Sequence, residues 1–206
     1  MSAKQQKQYK LYRNPLFLLG FATPLFMILG QRVSWFVQPF HLPEGSKKVE
    51  FNGRKIKKSV YGTDIALITA YGVVGHFIGY ATLAAIYLPV LIVTCWIGGW
   101  LFYIQHQFEE THWDQSTEWS YNEAAIMGSS YYALPKWLQW MTGNIGIHHV
   151  HHLNATIPNY RLQKCIDDMP SLKQINRMTF KDSLQCVKWA LWDDKNRKMI
   201  GFKDLA

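Results

Sequence analysis

Residues 65–108 read IALITAYGVVGHFIGYATLAAIYLPVLIVTCWIGGWLFYIQHQF, without a single Lys, Arg, Asp or Glu. One transmembrane helix needs about 20 predominantly apolar residues. Residues 65–104 therefore suffice for two spans, and the pattern predicts a hairpin over 65–84 and 88–105. Pro89 and its neighbours sit near the expected turn. A pair of buried soluble helices is the alternative, but a chain of 206 residues has too little other apolar material to wrap so long an uncharged run. The expected fold class is an all-α membrane protein: a transmembrane helical hairpin, interfacial helices and a cytosolic helical cap.

The charges outside this run orient it. Four basic residues (Lys4, Lys7, Lys10, Arg13) precede a shorter apolar stretch, residues 15–31, PLFLLGFATPLFMILGQ. Seven more (Arg32, Lys47, Lys48, Arg54, Lys55, Lys57, Lys58) lie between it and Asp64. The positive-inside rule puts both flanks in the cytosol. With Pro24 interrupting it, 15–31 reads as an interfacial or re-entrant segment. The remaining basic residues follow the hairpin and place residues 106–206 on the cytosolic side too. The net charge of +8 is thus an orientation signal and a lipid-headgroup contact, and no nucleic-acid partner is expected. The N-terminus lacks the small-residue cleavage site of a signal peptide. Cys95, Cys165 and Cys186 form no CxxC pair, which fits a reducing compartment.

Between residues 113 and 141 stand Trp113, Trp119, Tyr121, Tyr131, Tyr132, Trp137 and Trp140. Aromatics at this density suit the membrane–water boundary. Leu184, Val187 and Leu191 recur at helical spacing and predict a helix over 180–192, with Thr179 as its N-cap.

Four of the eight histidines crowd into GIHHVHHLNATIPNY, residues 146–160. On a helix, positions i, i+3 and i+4 share a face, so His148, His151 and His152 point toward one centre. Imidazole suits Fe, Zn, Cu and Ni rather than Mg or Ca. His149 lies about 100° around the helix from His148 and is the weaker candidate. His106 closes the uncharged run on the same expected side, and it joins the candidate ligands; His112, six residues on, is a further, weaker one. His76, in the middle of a predicted span, reads as a hydrogen-bonded core histidine. His41 carries no signal.

H-x-x-H-H beside a membrane hairpin, together with LFYIQHQFEETHW, GSSYYALPKWLQWMTGNIGIHHVHHLNATIPNYRL and DSLQCVKWALWD, resembles the membrane fatty acid desaturases, most of all the bacterial acyl-lipid omega-6 type. The resemblance runs from about Tyr9 to Phe202. It implies a diiron site held by histidines on the cytosolic face, O2 as co-substrate, acyl chains as substrate, and electrons from a ferredoxin or a cytochrome b5-like donor. Zinc has no redox chemistry with which to break an alkyl C–H bond. Such desaturases carry three histidine boxes, and upstream of His106 this chain has only His41 and His76. It therefore looks like the C-terminal half of a desaturase domain, expected to be inactive without a partner that bears the other boxes. Two further readings stand: a membrane diiron hydroxylase fragment, and a non-catalytic metal-binding or regulatory subunit.

Overall fold

The computed structural model describes residues 2–33, 53–115 and 118–204; His41 falls outside them. The chain folds as two compact units, Met1–Gly99 and Trp100–Ala206.

In the first unit, α1 (Ala3–Tyr12) opens on a Ser2–Gln5 capping box. The next helical run, Pro15–Arg32, starts where Asn14 Oδ1 accepts from the Leu16 and Phe17 amides. It comprises α2 (Pro15–Phe17), a π-turn (Leu18–Ala22), α3 (Thr23–Ile28) and a last 3-10 turn (Gly30–Arg32). Pro24 does not interrupt it. The π-turn absorbs the ring, as such bulges do, and Pro24 has no N–H for the carbonyl four residues back. The Trp96 indole supplies one instead, donating to Gly20 O at 3.0 Å.

Two helices then follow almost without a break, α4 (Gly53–Ile78) and α5 (Tyr80–His106). The expected turn near Pro89 is corrected: Pro89 lies inside α5, and the chain reverses at Gly79. Gly79 has φ +86°, a conformation glycine adopts without steric cost. Tyr71 and Tyr87, each eight residues from Gly79, meet ring to ring at 4.8 Å and share a hydroxyl–hydroxyl hydrogen bond. His76 is not in a core; it is exposed on α4. Among the described residues, Pro15–Arg32 and Tyr80–His106 are long and apolar enough to cross a membrane. Ile86, Val90 and Ile97 of α5 point outward, which lipid tolerates and water does not.

The second unit takes in the end of α5 and is helical with two small β-ladders. Its helices are α6 (Tyr121–Met127), α7 (Lys136–Met141), α8 (His148–Leu153), α9 (Asn159–Asp168) and α10 (Phe180–Ser183). β1 (Tyr131–Tyr132) pairs in parallel with β2 (Arg177–Met178), and β3 (Leu191–Asp193) pairs antiparallel with β4 (Lys198–Ile200). The all-α expectation is corrected to that extent. One core gathers Ile104, Phe108, Tyr132, Met178 and Cys186; the other gathers Ile147, Val150, Leu162, Ile166 and Leu172.

The predicted helix over 180–192 is also corrected. Thr179 does cap α10, in a capping box with Asp182, but α10 ends at Ser183 and a 3-10 turn follows at Cys186–Lys188. The small residues Ser183, Cys186 and Ala190 go inside while Leu184 is exposed. Leu191–Asp193 is claimed by its ladder with β4. Asp193 Oδ1 accepts from the Lys195 and Asn196 amides and closes that hairpin.

Candidate metal centre

The local chain path explains where the histidines sit. Gly143 (φ +64°) and Asn144 (φ +57°) turn the chain sharply before α8. Gly146 then passes so close to its neighbours that a Cβ there would lie 2.6 Å from Tyr132 O. Ile147 and Val150 bury one face of α8 in the core. His148 and His152, at spacing i and i+4, are left on another. Gln105, 1% exposed, ties the end of α5 to this region: its Nε2 donates to Ile145 O at 2.9 Å, and its carbonyl accepts from the Ser130 amide at 3.1 Å. The next residue, His106, then faces α8.

Three Nε2 atoms meet. His106 and His152 are 3.0 Å apart, His152 and His148 3.0 Å, and His148 and His106 3.3 Å. His106 Nδ1 lies 2.9 Å from Phe102 O, so the proton belongs on Nδ1 and the Nε2 lone pair faces the triangle. Burial, then the neighbouring imidazoles, push His148 down to about 2. Burial, then His106 and His151, push His152 down to about 4. Both rings are therefore neutral at physiological pH, which is the form that binds metals.

The triangle fits a metal ion. Two nitrogens bound to one ion at roughly 2.0–2.1 Å sit about 2.9 Å apart at a right angle and about 3.4 Å apart at the tetrahedral angle. The observed edges lie within that interval. With the His106 proton on Nδ1, its Nε2 lone pair faces the other two Nε2 atoms, and a cation at their centre would take all three as acceptors.

The other candidates are placed differently. The His151 ring is 5.6 Å from that of His148 and 5.8 Å from that of His152, beside the triangle rather than in it. His149 is fully buried with Nε2 3.0 Å from Leu172 O. His112 belongs to a second group, with Nε2 2.7 Å from Asp114 Oδ2 and 3.9 Å from Glu123 Oε1. Burial raises the Asp114 carboxyl, but hydrogen bonds from His112 and Arg197 outweigh it and hold the group below its usual range. His106, His152, His112 and Asp114 all line one cavity of about 280 Å³.

Sequence reasoning missed Tyr121, whose hydroxyl donates to His152 O at 2.8 Å and braces the end of α8. It also missed Asn176, at φ +45°, whose Nδ2 lies 3.0–3.1 Å from the carbonyls of Ile126, Met127 and Ser129. Neither has a local signal, since both act on carbonyls distant in sequence.

The model of the family described as fatty acid desaturase matches residues 4–172. The chain belongs to the fatty acid desaturase family. A fatty acid desaturase of Bacillus subtilis is 36% identical over 204 residues, covering 98% of this chain and 53% of its own length. An sn-1 oleoyl-lipid 12-desaturase of Synechocystis is 30% identical over 97 residues, covering 39% of this chain and 28% of its own. One of Anabaena variabilis is 27% identical over 124 residues, covering 56% and 35%. The desaturase chain thus spans about half the length of its Bacillus relative. Desaturases of this family are membrane-bound and generally use two irons. In this member, histidines able to hold metal stand at the end of an apolar helix long enough to cross a bilayer.

Proposed function

We propose that this chain carries part of the iron site of an acyl-lipid desaturase, which places a double bond in the hydrocarbon chain of a membrane lipid. The observation that carries the reading is the Nε2 triangle of His106, His148 and His152 in a chain of this family. The overall change is R–CH2–CH2–R′ + O2 + 2e⁻ + 2H⁺ → R–CH=CH–R′ + 2H2O. Iron supplies the oxygen activation that this change needs. The chain's own residues hold and orient it: His106, His148 and His152 as ligands, with His151 and His112 at hand beside them. The Phe102 carbonyl fixes the tautomer of His106, and Tyr121 fixes the end of α8.

The hairpin of α4 and α5 spans the membrane with both ends in the cytosol, and the metal site lies on that face. Acyl substrate enters from the bilayer, and electrons come from a ferredoxin or a cytochrome b5-like protein. Two irons need more ligands than this triangle provides. Activity therefore depends on histidines from beyond these residues, and the 206-residue chain alone does not desaturate.

The test is expression in a desaturase-deficient host with a competent electron donor, with and without a fragment bearing two further histidine boxes. Double bonds that appear only on co-expression support the proposal. A hydroxylated product would reassign the reaction, and new double bonds from the chain alone would refute its dependence on other histidines.

A further inference from the structure

A second cavity of the Trp100–Ala206 unit, about 530 Å³, lies apart from the one that His106 and His152 line. β1, β2, α7, α9 and the 3-10 turn at Pro170–Gln174 each contribute to its wall. Its charge is one-sided: Lys136, Lys173 and Arg177 against a single carboxylate, Asp167. Lys173 spends its charge on Asp167 at 3.6 Å. Lys136 and Arg177 are both exposed, and Arg177 also lies within electrostatic reach of Asp182 outside the cleft. Gln139, also in the wall, is 3% exposed, and its Oε1 has no hydrogen-bond partner in the fold.

One wall residue of this cleft, Tyr131, contacts a chain neighbour of the metal triangle. Tyr131 pairs in register with Arg177 across the β1–β2 ladder. The Tyr131 ring centroid is 5.9 Å from that of His149. His149 is fully buried, pinned at Leu172 O, and is the chain neighbour of His148. The buried imidazole of His149 and its backbone link to His148 thus lie between the cleft wall and a residue of the triangle.

We propose that this basic cleft is the docking site of a protein electron carrier with an acidic face, and that Tyr131 and His149 form the route from it to His148. The proposal rests on the desaturase reading, which requires two electrons per double bond from outside the chain. Each visit would deliver one electron, and two visits would supply the two that one double bond requires. Opposite charges across an interface speed encounter and set orientation, and both effects fade with salt. Arg and Tyr are also side chains that protein interfaces favour. An anionic lipid headgroup would match the charge too, but it has no use for an aromatic contact running inward to the histidines.

The test uses the full chain in nanodiscs of zwitterionic lipid, with an acidic [2Fe–2S] ferredoxin as probe. Affinity is measured at about 0.01 M and about 1 M salt, where the screening length falls from about 30 Å to about 3 Å. The Lys136→Glu/Arg177→Glu variant should bind at least tenfold more weakly at low salt and converge on the wild type at high salt. Lys136→Gln/Arg177→Gln should fall between them, which guards against a folding defect of the double reversal. Lys195→Glu/Lys203→Glu makes the same change in net charge elsewhere and should bind as the wild type does.

Equal binding by the wild type and the cleft variant, or an equal loss in the control, overturns the proposal. So does a cleft that glycerol phosphate occupies while ferredoxin ignores the substitutions; that result would mark a headgroup site. The binding assay needs no turnover. Ferredoxin binding of the expected pattern without any double bond on co-expression counts against the proposed reaction and leaves the docking standing.

Discussion

His106 Nδ1 lies 2.9 Å from the carbonyl of Phe102, one turn back on the same helix. That carbonyl sits in the last turn of α5, within the run of the helix itself. One contact thus fixes the tautomer of the ring and aims an imidazole lone pair at His148 and His152. It makes the role of His106 depend on α5 keeping its helical form up to its last residue.

Replacing His106, His148 or His152 by Ala should each lower metal affinity by more than the roughly 10–100-fold typical of losing an outer partner. His151→Ala should cost less, because His151 stands beside the triangle. Cobalt titration of the full chain in detergent, read by absorption, checks the order. Equal losses for His151 and His148 would enlarge the site to four ligands.

Tyr121→Phe removes the hydroxyl that donates to His152 O. The net loss should be about 0.5–1.5 kcal/mol in stability, with metal affinity falling by up to about tenfold. Thermal unfolding and the same cobalt titration measure both.

Acid should destabilise the metal-free protein before it reaches the carboxylate range. The unfolded chain protonates its histidines near about 6.5, whereas the folded chain keeps His152 neutral to about 4 and His148 to about 2. Between those values the unfolded state binds more protons, so stability rises with pH. This contribution is fully present above about 6.5 and is lost progressively as pH falls through about 4. Denaturation of the metal-free chain followed from pH 7.5 to 4 should show the slope, and His152→Gln should flatten it.

Trp96→Phe takes away the indole donor to Gly20 O. No water replaces it in an apolar surrounding, so the cost should be about 1–3 kcal/mol. A drop in unfolding temperature in detergent, absent for Trp140→Phe, would bear this out.

Sidedness is testable with single cysteines at Val60 and Gln115 in a background lacking Cys95, Cys165 and Cys186. Both should react with an impermeant thiol reagent from the cytosolic side. Labelling from opposite sides would refute the proposed topology.

What the sequence made legible followed local rules. An uncharged run long enough for two spans, histidines at i and i+4 and Thr179 as an N-cap each depend on neighbours within a few positions. The features that escaped depend on distant partners. Pro24 reads as a break until Trp96 is seen beside Gly20. Pro89 reads as a turn until Gly79 takes that role at φ +86°. Leu184, Val187 and Leu191 suggest a helix, but a ladder with Lys198–Ile200 claims the last of them. The triangle itself joins residues 42 and 46 positions apart. Which of two adjacent α8 histidines faces His106 is decided by where Ile147 and Val150 find their core.

The reversal at Gly79 leaves Ile78, Gly79 and Tyr80 as the whole tip of the α4–α5 hairpin. No extended segment projects there for a protease to grip, a glycan to decorate or an antibody to recognise. Under the proposed topology, whatever compartment lies beyond that tip meets three residues of this hairpin.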